Sequence, residues 1–310
     1  MSHELKRFLF VVNPISGGRD KSTFLQHLPQ WAQNHNYELH IYKTTGNNDR
    51  QSIEETIKKE KPQVVVAVGG DGTCKLVAES LQGSDAVLGI IPFGSANGLA
   101  TSLRIPTDPQ AALQALPQMQ VYKLDALYVN KSLTLHLADI GFNAKVIHRF
   151  QEEEVRGWWG YFKLYLQERR SLTPFKIRFH LPHAQERKWF SKKAYILVIA
   201  NMQRYGTGAL INPVGRANDG KFELVLIRPI QWWRLLLALP LFFSDRHLQR
   251  GLSKIWQTDY AELYLKKAEE LQVDGEPMGK HKKVVVRLKK QAIPILCPQE
   301  QTNNGFSLFS

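Results

Sequence analysis

The stretch VVVAVGGDGTCKLVAESL, Val64 to Leu81, joins a strand pattern, a glycine loop and a helix start in one run. Its first five residues are apolar without alternation, the pattern of a strand covered on both faces in a parallel sheet. The run passes without a linker into Gly69-Gly70-Asp71-Gly72-Thr73 and then into a helix-compatible segment. Glycines let the backbone approach a phosphate closely, and a helix start adds unpaired N–H donors and a positive dipole end. A carboxylate inside such a loop repels phosphate unless it holds a cation or accepts a proton, so Asp71 points to phosphoryl chemistry. A tight strand-to-helix turn with an Asp cap is the plainer alternative.

Outward from this stretch, short β-branched or aromatic runs at 8–12, 38–42 and 87–91 alternate with segments of helical spacing, such as Phe24, Leu28, Trp31 and the pair Ile53, Ile57. That alternation predicts βαβα units and a buried parallel sheet. A second glycine-rich turn, PFGSANGLA (92–100), follows the fourth strand. Both turns therefore leave the carboxyl edge of one sheet, where open α/β folds bind ligands. The Lys21-Ser22 pair lacks the glycine spacing of a P-loop, so any phosphate site is of another kind.

From about residue 121 the strand candidates become longer and more alternating: LTLHLAD (133–139), FKIRFHL (175–181), AYILVIAN (194–201), KFELVLI (221–227), then 260–265 and 283–288. They predict an antiparallel β-sandwich. Amphipathic helical inserts are expected near 152–170 and 231–250, and an apolar segment, IPILCP (293–298), precedes a polar tail expected to be loosely ordered. The expected organisation is an α/β domain over 1–127, a sandwich over 128–290, a return segment over 291–298 and a flexible tail over 299–310.

The 310 residues are 43% hydrophobic and 22% charged, enough for two cores. The formal net charge of +13 predicts an anionic partner. Nucleic acid is not expected, because no motif accompanies the one concentrated basic run, Lys280 to Lys290. Cys74 and Cys297 show no metal-ligand spacing, so neither a disulfide framework nor a zinc site is expected, which favours a reducing, cytoplasmic setting. The apolar run near the N-terminus is too short for a secretory signal, and the Trp232–Phe243 stretch is interrupted and too short to span a bilayer. Aromatic and leucine residues mixed with Arg and Lys at 155–170 and 231–250 suit peripheral contact with an anionic membrane on its inner face, or packing against the chain's own sheet.

Six elements in order resemble the diacylglycerol kinase and sphingosine kinase superfamily, bacterial lipid kinases included: NPISGG (13–18), Thr44 with Asp49, GGDGT (69–73), PFGSANGLA, YGTGALINPVGRANDGKFELV (205–225) and VDGEPM (273–278). GGDGT alone also occurs in nicotinamide dinucleotide kinases and resembles a phosphofructokinase loop. The resemblance implies a phosphofructokinase/NAD-kinase-like α/β domain followed by a β-sandwich, with ATP in the cleft between them. The implied ATP contacts are Asn13, Thr44, Gly69, Gly70, Asp71, Gly72, Thr73, Ser95 and Asn97. For Thr44 and Ser95 a turn role is an equal alternative.

Glu276 matches the residue regarded as the family's general base, although Asp274-Gly275 alone reads simply as a hairpin turn. Phosphoryl transfer implies Mg2+, for which Asp71 is the first candidate ligand. The family's second carboxylate is missing, since Gly98 follows Asn97; Asp125 matches the third. GSANGLA resembles the sphingosine and ceramide kinase version of that turn. ADIGFNAKV (138–146) resembles the stretch whose Asp contacts a lipid headgroup, making Asp139 a substrate candidate beside the reading of an ordinary strand-end carboxylate. ANDGKFE (217–223) resembles a structural magnesium site, implying Arg216, Asp219 and Lys221, where a turn serves equally. The expected activity is transfer of the γ-phosphoryl of ATP to the hydroxyl of diacylglycerol or a related lipid. The alternatives are a sphingoid-base or ceramide kinase, an NAD kinase-like enzyme and a non-catalytic lipid-binding module. Oligomeric state is not readable from the sequence.

Overall fold

The computed structural model describes residues 5–142, 144, 173–182, 189–204, 209–231, 234, 241, 246–299 and 309. The chain divides into two compact units, Met1–Leu124 with Gln291–Phe306, and Asp125–Lys290 with Ser307–Ser310. The first is α/β with a parallel sheet and the second an antiparallel β-sandwich.

In the first unit, strands β1 (Arg7–Val12), β2 (Glu38–Lys43), β3 (Val64–Gly69) and β4 (Val87–Pro92) run parallel in the order β2-β1-β3-β4. The end of the last strand, β14 (Glu276–Cys297), adds Ile295 parallel to Leu88. All six residues of β3 and of β4 are buried, as continuous apolar runs require. Helices α1 (Ser22–Asn34), α2 (Asp49–Glu60) and α3 (Asp71–Ser80) cross between strands. The first buries Phe24, Leu28 and Trp31, the second Ile53 and Ile57, matching their helical spacing. Two shorter helices, α4 (Gly98–Ser102) and α5 (Pro109–Ala115), follow β4; Asp108 caps α5 through the Ala111 N–H.

The strand order reverses at β1, whose neighbours are β2 on one side and β3 on the other. Such a topological switch opens a crevice at the carboxyl ends of the strands. The loops after β1 and β3 lie there.

The sandwich unit comprises β5 (Gln120–Val129, from Asp125 onward), β6 (Ser132–Thr134), β7 (Leu137–Gly141), β8 (Phe175–His180), β9 (Trp189–Ala194), β10 (Ile196–Ala200), β11 (Phe222–Ile227), β12 (Ser253–Thr258), β13 (Tyr260–Val273) and β14 to Lys290. One run of antiparallel neighbours is β12-β11-β10-β7, and another is β9-β8-β13-β14. Strand β13 belongs to both: Glu262–Leu265 pairs with β8 and Leu271–Val273 with β7. A register shift between Tyr264 and Glu269 marks the bend between them, as expected of a strand that switches sheets. Side chains from both runs, including Ile140, Ile177, Phe179, Phe222, Leu263 and Val286, form one core. A second cluster with Leu137, Val198 and Val225 covers the other face of β7, β10 and β11.

Two strand expectations need correction. LTLHLAD is not one strand but β6 and β7, because Leu135, His136 and Leu137 donate their backbone N–H groups to the Asp274 carboxylate at 3.0, 3.0 and 3.1 Å. The stretch from 194 is likewise divided at Tyr195, between β9 and β10. IPILCP continues β14 into the first unit's sheet. The inserts expected at 152–170 and 231–250 lie outside the described residues, apart from residue 231, Arg234, Leu241 and the end of the second; the short helix α6 (Arg246–Gln249) is described. The tail is outside them too, except residue 299 and the buried Phe309.

Candidate active site

Three glycine-bearing loops meet at the carboxyl rim of the parallel sheet. The contacts are backbone against backbone. A Cβ on Gly17 would lie 2.0 Å from the Phe93 carbonyl oxygen, and one on Gly94 2.5 Å from the Gly70 Cα. No side chain fits at either position, and Gly17 also has a φ of 65°. The loop after β1 therefore rests on the loop after β4, which rests on the loop after β3.

Asp71 fastens the last two together. Its Oδ2 accepts from the Gly98 N–H and its Oδ1 from the Leu99 N–H, both at 2.9 Å. The carboxylate thus opens α3 and simultaneously caps the start of α4. Each oxygen keeps a further lone pair, and the residue is half-buried, so a hard cation finds a fitting donor here. Across the switch point, Asn13 Nδ2 donates to Thr73 Oγ1 at 3.3 Å. Thr73 is buried and folds over Gly69, where a Cβ would meet its hydroxyl at 2.2 Å.

The side chain of Asn97 turns inward: its Oδ1 accepts from the Gly94 N–H at 2.7 Å and its Nδ2 donates to the Gly94 carbonyl at 2.9 Å. It shapes the second glycine turn from a left-handed position, φ 50°. Ser95 at the tip is exposed, as is Gly72. Thr44 follows β2 and its N–H donates to the Val12 carbonyl. Beside it, Asp49 accepts from the N–H groups of Thr45 and Gly46 and from the hydroxyls of Tyr42 and Thr45. Burial pushes the Asp49 carboxyl up, but these donors together hold it below its ordinary value.

Lys21 is a component that sequence reasoning missed. Its buried ammonium donates to the carbonyls of Ser16 (2.7 Å), Arg19 (3.2 Å) and Pro14 (3.4 Å), and sits 5.0 Å from the Phe93 ring centroid. Three carbonyls satisfy the three donors of an ammonium. Burial lowers its pKa, with Asp20 opposing. The Lys-Ser pair that fails as a P-loop signature instead braces the loop after β1 from within.

In the sandwich unit the Asp274-Gly275 turn joins β13 to β14, with both residues at positive φ, as a two-residue hairpin needs. Glu276 opens β14 and is exposed. The turn is held by Asp274 on the β6–β7 segment and by the Gly275 N–H on Gln272 Oε1 at 2.7 Å. Gln272 Nε2 in turn donates to Asp139, which is fully buried in the middle of β7. Asp139 and the DGE turn are thus two ends of one hydrogen-bonded chain.

Asp125 is also buried, and its Oδ2 accepts from the Gly220 N–H at 2.7 Å while its own N–H donates to the Ala217 carbonyl. It is brought against the turn bearing Arg216, Asp219 and Lys221, where Asp219 Oδ1 accepts from the Lys221 N–H at 3.0 Å. Carboxylate and carbonyl oxygens in such a turn are the donors Mg2+ takes. Among the described residues no three His, Cys, Asp or Glu side chains gather as a metal site. Nearby Glu223 is fully buried, receives Nδ2 of Asn212 and Nε2 of Gln257, and is pushed up to about 7 by burial despite those donors.

Residues 7–129 match the family described as "Diacylglycerol kinase catalytic domain", and residues 137–297 match "YegS C-terminal NAD kinase beta sandwich-like domain". A Pseudomonas aeruginosa protein named "Probable lipid kinase YegS-like" is 31% identical over 194 residues, which span 61% of this chain and 63% of that relative. One of the same name from Chromohalobacter salexigens is 24% identical over 219 residues, 69% of each chain. Two solved structures from Bacillus anthracis superpose with TM-scores of 0.77 and 0.72, covering 96% of this chain and 99% of theirs. At 17% and 16% identity that likeness is one of fold; the second is described as a diacylglycerol kinase. With one family matched across the glycine turns and the other across the sandwich, the chain belongs to the superfamily of diacylglycerol kinase-type and YegS-like lipid kinases.

Proposed function

We propose that the chain is an ATP- and Mg2+-dependent kinase that phosphorylates the hydroxyl of diacylglycerol or a related lipid. The observation that carries this reading is Asp71 bonded to the Gly98 and Leu99 N–H groups, which makes one rim of two glycine turns. When bound, ATP supplies the phosphoryl group and Mg2+ neutralises charge on its oxygens. The chain's part is then positioning and proton handling. The glycine turns at 69–73 and 94–98 orient the phosphates, Asp71 holds the cation, and Thr44, Ser95 and Asn13 border the nucleotide. Glu276 takes the proton of the acceptor hydroxyl as its oxygen bonds to phosphorus and ADP departs. Asp139, buried and bonded by Gln272, acts on the acceptor side through the hairpin that Gln272 holds and that presents Glu276, while Asp125 and the 216–221 turn form a structural cation site. A sphingoid base or ceramide is the second reading, favoured by the Gly98 turn.

A radiolabelled-ATP screen over mixed micelles of diacylglycerol, phosphatidylglycerol, ceramide and a sphingoid base, with NAD present as competing acceptor, tests this. Label in a lipid, abolished in Asp71→Asn and strongly reduced in Glu276→Gln, is the expected result. Label in NAD alone, or in nothing, contradicts it, and normal turnover by Glu276→Gln removes that residue from the base role.

A further inference from the structure

The outer face of the β9-β8-β13-β14 run carries chemistry that phosphoryl transfer does not use. Cross-strand partners share a face. The register therefore sets Trp189 beside His180 and Glu262, Arg178 beside Tyr264 and Lys283, Lys176 beside Lys193, and Tyr260 beside Arg287. All stand opposite the buried row of Ile177, Phe179, Leu263 and Val286. Cations and rings interlock: the Arg178 guanidinium lies 5.0 Å from the Trp189 ring, the Lys283 ammonium 5.0 Å from Tyr264, and Arg287 5.8 Å from Tyr260. Glu262 is the one carboxylate in these rows. It is engaged internally by the hydroxyls of Tyr264 and Tyr260 and by Lys283 at 3.1 Å.

Trp189 is 52% exposed at the edge of this face, an unusual place for so large an apolar group. At the opposite end a cavity of about 620 Å³ is lined by Tyr128, Asn130, Lys131, Val285 and Arg287. The positive charge continues into it through Lys131. A single-stranded nucleic acid needs open ring faces on which bases stack. Here cations lie over the rings of Trp189, Tyr264 and Tyr260. A layer of guanidinium and ammonium groups on an aromatic bed, with an indole at its margin, complements phosphate headgroups above the acyl boundary of a bilayer.

We propose that this face docks the sandwich unit on an anionic phospholipid surface. The inference rests on the lipid-kinase reading for its choice of partner. The test is sedimentation of the full chain with phosphatidylcholine vesicles with and without phosphatidylglycerol. The variants are Lys176→Glu/Arg178→Glu/Lys193→Glu and Trp189→Ala, with Lys6→Glu/Lys58→Glu/Lys59→Glu in the other unit as a charge-matched control. Binding is expected to need phosphatidylglycerol and to weaken with salt. The triple variant should bind at least about a hundredfold more weakly, since each lost cation costs about fivefold near an anionic surface and each Glu adds repulsion. Trp189→Ala should also weaken binding, and the control should stay within a few-fold of wild type, all with unchanged melting. Wild-type binding by the triple variant, equal loss in the control, or tighter capture by a single-stranded oligonucleotide with the same variant dependence would overturn the proposal.

Turnover separates the two ideas. On a short-chain lipid dispersed as monomers the triple variant should match wild type, and on vesicles it should fall behind. Charge-dependent binding without turnover on either substrate sinks the kinase reading alone. Equal turnover by wild type and triple variant on both substrates sinks the docking face alone.

Discussion

Burial of Glu223 beside Asn212 and Gln257 couples the stability of the sandwich unit to pH. Its carboxyl is raised from 4.5 to about 7. Between those values the folded chain holds a proton that the unfolded chain releases, so the stabilisation is full below pH 4.5 and is lost as pH rises through about 7. The loss is on the order of 3 kcal/mol, taking about 1.4 kcal/mol per unit. Denaturant melts from pH 5 to pH 8 should therefore show falling stability in the wild type and a flatter profile in Glu223→Gln. An unchanged slope in the variant would remove Glu223 as the cause. At this scale the sequence was only partly legible. Asp71 and Glu276 stood out by their motifs, but Lys21 and Gln272 carried no signal, because their partners are backbone atoms or residues more than a hundred positions away.

At the scale of elements, the DGE hairpin shows how one carboxylate can set strand boundaries. Asp274 accepts from three consecutive N–H groups and so ends β6, begins β7 and fixes the hairpin that presents Glu276. Bonds to a charged acceptor contribute roughly 1.5–3 kcal/mol each before overlap, so Asp274→Ala should destabilise the chain by about 3 kcal/mol, read as a lower denaturant midpoint. Asp274→Asn, which keeps a turn-forming side chain and one acceptor, should lose less. Equal stability of all three proteins would show that water replaces the carboxylate. Parallel strands were readable because burial on both faces leaves uninterrupted apolar runs, as in β3. The split of LTLHLAD was not, since its cause lies near residue 274. Nor was β9, whose WFSKKA sequence is mostly exposed and lacks a clean apolar alternation.

For the whole molecule, the family assignment follows from elements in order along nearly the entire chain, and each unit keeps its own chemistry. On the proposed reading, the α/β unit supplies a phosphate rim made almost wholly of backbone, and the sandwich supplies Glu276 and a cationic outer face. No helix among the described residues is long and apolar enough to cross a membrane. The rim's location was legible because glycine turns after adjacent strands of a parallel sheet share an edge. Its closeness was not, because contacts such as Gly70 against Gly94 leave no trace in residue type beyond glycine itself.

On the proposed reading, Asp71 locks two turns into a single grip on a triphosphate. Calorimetric titration of ATP with Mg2+ into wild type and Asp71→Ala measures it directly. Saturable binding by wild type, weakened tenfold or more in a variant that still melts cooperatively, is the expected result. Equal affinity in the two proteins, or no binding by wild type, would contradict it.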